Sequence, residues 1–204
     1  FLGTEFGLYV TIDGGENWSK FENNMPATAV HFMELQKQTN DLVMGTHGRG
    51  VIIIDDISPL RELSQEVLAQ DVYFFKNKPF TMLEDSGFSG SFGTETQFVG
   101  QSKSSAARIV YYLKKRHTFG KMKMEVFDME GNKITNLSPE KSKGINVITW
   151  GFNKNVPKMA QGKTLSFGGF TSPRVTAGNY KIVLTKGKNT YEQIIEVNYD
   201  ENSI

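Results

Sequence analysis

The chain has 204 residues, with 23 basic and 22 acidic side chains, 20 glycines, 15 phenylalanines and no cysteine. That length holds one large domain or two small ones, and the missing cysteine excludes disulfides, thiolate metal or iron–sulfur sites and cysteine nucleophiles. No apolar run reaches the roughly 18 residues of a membrane span, and the near-neutral total gives no reason to expect nucleic acid as a partner.

The neutrality is the sum of unlike halves. Residues 1–99 carry 6 Lys/Arg against 14 Asp/Glu, and residues 100–204 carry 17 against 8. Opposite signs point to two units docked through complementary fields, or to two solvated surfaces of different charge.

Strand-type runs fill the first sixty residues. Leu8 to Ile12, Val30 to Leu35, Asp41 to Gly45 and Val51 to Ile54 are short, rich in β-branched or apolar residues, and separated by Gly, Asn and Asp turn signals. Within them a segment repeats. Gly3-Thr4-Glu5-Phe6-Gly7-Leu8-Tyr9-Val10-Thr11-Ile12-Asp13 returns, with one residue inserted, as Gly45-Thr46-His47-Gly48-Arg49-Gly50-Val51-Ile52-Ile53-Ile54-Asp55-Asp56. Gly7 to Gly50 and Asp13 to Asp56 are both offset by 43 residues, a period in the range of four-stranded β-propeller blades. A propeller needs about four blades or more, so two copies predict the C-terminal piece of a longer protein. The opening Phe1-Leu2-Gly3-Thr4, inside a repeat strand and without an initiator Met or leader, agrees with that expectation.

Ser58-Pro59 predicts a helix N-cap with proline at the first helical position. Leu60, Leu63, Val67 and Leu68 then form an apolar helical face, and Ser64 offers a break into two short helices. Val72 to Phe75 reads as a strand, and the Gly/Ser-rich residues 85–105 as a long loop that its Phe88, Phe92 and Phe98 lay across a surface. From about Ala106 the pattern returns to strands: Arg108 to Leu113, Met122 to Asp128, Asn146 to Trp150, Asn179 to Leu184 and Tyr191 to Val197. Turn signals at Gly131-Asn132 and Gly187-Lys188 separate them. Five or more strands over about 100 residues predict a β-sandwich of immunoglobulin-like size.

The sharpest local motif is Thr11-Ile12-Asp13-Gly14-Gly15-Glu16-Asn17-Trp18, which fits the Asp-box pattern S/T-x-D-x-G-x-x-W. Its chemistry is structural: the Asp13 carboxylate accepts N–H bonds of its own turn, Gly15 permits a positive φ, and Trp18 folds over the hairpin as a lid beside Thr11. Calcium binding would need more oxygen ligands than this loop supplies. His47 and Arg49, on the glycine-rich turn of the second copy, are candidate anion or substrate contacts, with a tight strand connection as the alternative. The three histidines lack metal spacing, no phosphate-cradling glycine motif occurs, and there is no G-x-S-x-G elbow. Asp55 and Asp56, adjacent on a predicted strand, point to opposite faces and so make no glycosidase pair. Lys114-Lys115-Arg116-His117 forms a basic cluster, either meeting an acidic partner or standing as a solvated hairpin tip. Trp150 reads as core in preference to a sugar-stacking platform.

The repeat with its Asp-box, followed by Asn40 to Arg61, resembles the end of the propeller in large bacterial BNR/Asp-box proteins labelled sortilin-like or glycosyl-hydrolase-like. Tyr111-Tyr112-Leu113, Gly144 to Trp150 and Pro173 to Tyr180 resemble the Ig-like domain of the flagellar hook-capping FlgD type. The resemblance implies an all-β chain: incomplete propeller blades over residues 1–57, a helical connector, strand and Gly/Ser-rich loop over 58–105, and an Ig-like β-sandwich over 106–204. It also implies an extracellular or periplasmic protein. The arginine cluster and Tyr nucleophile of sialidases have no matching positions. The expectation is therefore a non-catalytic scaffold or interaction region without a cofactor or metal, with upstream blades and a protein or glycan as partners. The alternatives are an accessory part of a glycoside hydrolase with its active site on upstream blades, or a carbohydrate-binding sandwich.

Overall fold

A computed structural model describes residues 1–22, 24–83, 106–156 and 172–201. The expected loop over 85–105 lies outside the described residues. The fold is all-β apart from two short helices, built from four small sheets, none of them closed into a barrel among the described residues. It divides into two compact units, Phe1–Gln70 and Asp71–Ile204.

In the first unit, β1 (Leu2–Thr4), β2 (Gly7–Val10) and β3 (Ser19–Lys20) form one antiparallel sheet. A second consists of β4 (Val30–Gln36), β5 (Asp41–Thr46) and β6 (Val51–Ile54). The period-2 alternation of a strand decides which side chains are buried. Cross-strand rows Met33-Met44-Ile52 and Leu35-Leu42-Ile54 share the inner face, where they pack with Leu8, Val30 and Ile57. The outer rows, Phe32-Gly45-Val51 and Glu34-Val43-Ile53, leave Phe32 70%, Val51 67% and Ile53 55% exposed.

The repeat is visible in the hydrogen bonds. Thr4 Oγ1 donates to the Gly7 carbonyl at 2.9 Å, and Thr46 Oγ1 donates to the Gly50 carbonyl at 2.7 Å. Gly7 (φ 124°) and Gly50 (φ 67°) take the positive φ that each connection needs. The period predicts four-stranded blades, whereas each of these sheets has three strands among the described residues.

After β6 come α1 (Ser58–Glu62) and α2 (Gln65–Ala69), with the break at Ser64, whose Oγ accepts the Val67 N–H at 3.3 Å. Ser58 is not the N-cap. The cap position falls on Ile57, and the Asp56 carboxylate accepts the Ser58 N–H at 3.1 Å, doing the work the serine was expected to do. Asp56 reaches that position from a left-handed backbone (φ 47°) while its own N–H donates to Asp41 Oδ1 at 2.9 Å. Strand β6 ends at Ile54, so Asp55 and Asp56 follow the strand and do not alternate on it.

The second unit contains β7 (Val72–Phe74), β8 (Phe80–Met82), β9 (Ala107–Leu113), β10 (Met122–Phe127), β11 (Lys133–Leu137), β12 (Gly144–Trp150), β13 (Gly178–Lys186) and β14 (Asn189–Tyr199). One sheet runs β12-β9-β7 and the other β11-β10-β13-β14-β8, antiparallel throughout except for β14 beside β8. Strands β7 and β8, assigned from sequence to the connecting stretch, pair within these two sheets. The sheets share one core. Ile109, Tyr111 and Leu113 of β9 face it with Met122, Met124 and Val126 of β10 and Tyr180, Ile182 and Leu184 of β13. Burying each such side chain contributes about 1.5–3 kcal/mol relative to exposure, which makes this a β-sandwich.

Tyr180 also donates its hydroxyl to the Thr176 carbonyl, four residues back, at 2.7 Å. On β10, Glu125 is 7% exposed and is held charged between Lys123 and Lys133, the latter at 2.6 Å. The two ammonium groups hold its carboxyl below the ordinary range.

The two repeat glycines differ in their surroundings, and this gives a test of the seam between the first unit's sheets. A Cβ at Gly3 would lie 2.5 Å from the Val30 carbonyl oxygen, whereas one at Gly45 would meet the Phe32 Cβ at 3.5 Å, an ordinary contact. Gly3→Ala is expected to lower stability by about 1–3 kcal/mol. Gly45→Ala is expected to be neutral or stabilising by up to about 1 kcal/mol, both read from urea unfolding.

Candidate functional site

The Asp-box turn joins β2 to β3, and all four of its predicted residues meet there. Asp13 Oδ1 accepts from Thr11 Oγ1 at 2.7 Å and from the Asn17 N–H at 2.9 Å, while Oδ2 accepts from the Asn17 side-chain amide at 2.7 Å. Thr11 Oγ1 in turn accepts the Gly15 N–H at 3.0 Å. Gly14 (φ 74°) and Gly15 (φ 102°) both adopt conformations that side chains disfavour. Trp18 Nε1 donates to the Gly15 carbonyl at 3.1 Å, with its ring beside that glycine and 44% of its surface in solvent. Three donors converge on one carboxylate, so most of its acceptor capacity is taken up within its own turn. Asn17, through its N–H and side chain, and then the Thr11 hydroxyl hold the Asp13 carboxyl down at about 2.

Thr11 and Gly14 of this turn also line a cleft of about 460 Å³ within the first unit. Its lining is mostly apolar, with Phe1, Val10, Ile12, Leu35, Leu42 and Leu60, and among the described residues Arg61 is its one charged side chain. Such walls suit an apolar side chain or small apolar ligand, and they provide no convergent acid–base pair.

His47 and Arg49 lie elsewhere, on the exposed turn between β5 and β6, and neither lines the cleft. The turn is fixed by its backbone. His47 N–H donates to the Ala29 carbonyl at 3.0 Å, the His47 carbonyl accepts from Thr28 Oγ1 at 2.8 Å, and Gly48 and Gly50 both have positive φ. The His47 ring meets that of His31 edge-on, 5.8 Å between centroids. Among the described residues no three His, Asp or Glu side chains gather as a metal site. In the sandwich, Trp150 is 2% exposed, packed against Phe152 and Tyr180, and its Nε1 donates to the Asn153 carbonyl at 3.1 Å. That removes it as a sugar-stacking surface.

Sequence reasoning missed one juxtaposition. The β9–β10 loop, the β11–β12 loop and the β13–β14 hairpin, far apart along the chain, meet at one end of the sandwich. No spacing within any one of them signals that meeting.

Comparison with protein-family models, with curated proteins and with solved structures finds no match to this chain.

The Asp13 bonds have a pH signature. Its carboxyl is depressed in the folded state relative to an ordinary aspartate near 3.9. Its contribution is therefore complete above that value and is lost as pH falls through about 2. A carbon-detected NMR titration is expected to place the Asp13 midpoint near 2, and Thr11→Val is expected to move it upward by removing one donor. An Asp13 midpoint near 4 would show the turn to be open.

Proposed function

We propose that the chain is a non-catalytic architectural region of an exported Asp-box propeller protein, in which the last repeat copies lead into an Ig-like sandwich that carries interactions. The observation that supports this best is the recurrence of one bond in both copies, Thr4 to Gly7 and Thr46 to Gly50, on equivalent hairpins. Through the 43-residue offset, β1 corresponds to β5 and β2 to β6. Overlaying the copies yields a four-strand unit ordered β4-β5-β6-β3, of which the first sheet holds the last three positions and the second sheet the first three. Four strands per unit is what a propeller blade requires. In the second copy, Pro59 and α1 stand where the Asp-box hairpin would continue, so the repeat gives way to helix there.

The exposed face of Phe32, Val51 and Ile53 fits the same reading, since a blade packs on both of its faces. For the sandwich, the orders β7-β9-β12 and β11-β10-β13-β14 correspond to the A-B-E and C′-C-F-G sheets of immunoglobulin-type domains. The Tyr180–Thr176 bond has the form of a tyrosine corner. The non-catalytic part of the reading is supported by the way the Asp13 carboxylate is taken up within its own turn.

The sequence encoded ahead of Phe1 tests the reading, together with an assay of the chain on a glycoside panel. Further Gly-Thr and Asp-box copies at the same spacing, and no turnover, are expected. Absence of such copies, or hydrolysis that falls when Asp55 or Asp56 is changed to Asn, would contradict it.

A further inference from the structure

Three loops form one end of the sandwich, and their backbones are bonded to each other. His117 N–H, in the β9–β10 loop, donates to the Lys141 carbonyl of the β11–β12 loop at 2.9 Å. Gly187 N–H, in the β13–β14 hairpin, donates to the Lys121 carbonyl of the first loop at 2.9 Å. The His117 ring lies within 3.1 Å of the Gly120 carbonyl and tightens the tip between them.

The charged side chains these loops present are cationic but for Glu140. The first loop supplies exposed Lys114, Lys115, Arg116 and Lys121. The second adds Lys141 and Lys143, and the hairpin adds Lys186 and Lys188. Against these eight stand two carboxylates among the described residues: Asp71, which takes Lys186 at 2.5 Å, and Glu140 in the second loop. At the tip of the first loop, Phe119 is 90% exposed, with Thr118 and Gly120 on either side and the cations around it.

We propose that this end of the sandwich docks on an anionic lipid bilayer, with the cations on headgroup phosphates and Phe119 inserted at the acyl boundary. Each Lys or Arg near such a surface adds about 1 kcal/mol of attraction, and an apolar ring adds the second signal that stable anchoring needs. The charge complements a negative plane: cations from three separate loops share one end, and the bonds between the loops keep them there without a binding-induced rearrangement. A nucleic-acid strand is matched less well, because single-strand sites stack successive bases on several aromatics. Apart from His117, Phe119 is the one ring in these loops.

Sedimentation of the 204-residue chain with phosphatidylcholine vesicles, alone or mixed with phosphatidylglycerol, tests the proposal. Binding is expected to the mixed vesicles only, and to vanish in about 1 M salt, where screening acts within roughly 3 Å. Replacing Lys115, Arg116 and Lys121 by Gln is expected to weaken partitioning roughly 100-fold, the equivalent of three lost headgroup charges. Phe119→Ala is expected to weaken it roughly tenfold by removing the inserted ring, with unchanged urea unfolding for both variants, whose side chains are exposed. No binding to mixed vesicles, equal binding to neutral ones, or Phe119→Ala binding as well as the parent would overturn the proposal. A single-stranded oligonucleotide that competes the vesicles off and binds both forms alike would reassign the surface to nucleic acid.

Discussion

A narrow β-sheet has two faces and buries one by pressing it against another layer, which in this chain is a second sheet. That constraint organises both halves of this chain. In the first unit, Met33, Leu35, Leu42, Met44, Ile52 and Ile54 are turned inward by strand alternation and meet Leu8 from the neighbouring sheet. The approach is close enough that Gly3 has no room for a side chain against Val30. In the second unit a three-stranded and a five-stranded sheet share one core, closed by Trp150, Phe152 and Tyr180. Loops attached to these seams are positioned by them, and the polar chemistry of the molecule lies in the loops.

Two kinds of charge result. Asp13, Asp56 and Glu125 are each engaged by donors supplied by the fold, from a turn, a helix start and two flanking lysines. Each such bond holds its local structure. The cations at the end of the sandwich are carried by loops bonded to one another through their backbones, and most of the ammonium and guanidinium groups are exposed.

Much of this was legible in the sequence. Strands with strong alternation, such as β5, β10 and β13, stand within a few residues of their expected bounds, because burial of one face repeats every second residue. The Asp-box turn was readable because all its partners lie within eight residues, and the helix break was readable from Ser64. Strand β8 was not, since Phe80-Thr81-Met82 is too short to show a period and owes its conformation to pairing with β14, more than a hundred residues on. Strand β11 is mostly polar because it borders the sheet beside β10. The helix start lies one residue earlier than expected, with Ile57 at the cap position, and the adjoining bond of the Asp56 N–H to Asp41 is one that no local pattern encodes. Of the basic end, Lys114 to His117 stood out in the sequence, whereas its junction with the other two loops did not, since only the completed sandwich brings them together.

The central claim is that the first unit's two sheets are copies of one repeat, with the outer face of Phe32, Val51 and Ile53 reserved for a further copy. Hydroxyl-radical footprinting of those three side chains tests this most directly, comparing the 204-residue chain with a longer product that includes the residues encoded ahead of Phe1. The account predicts strong labelling in the shorter chain, where all three are exposed, and protection in the longer one. Equal labelling in both would contradict it.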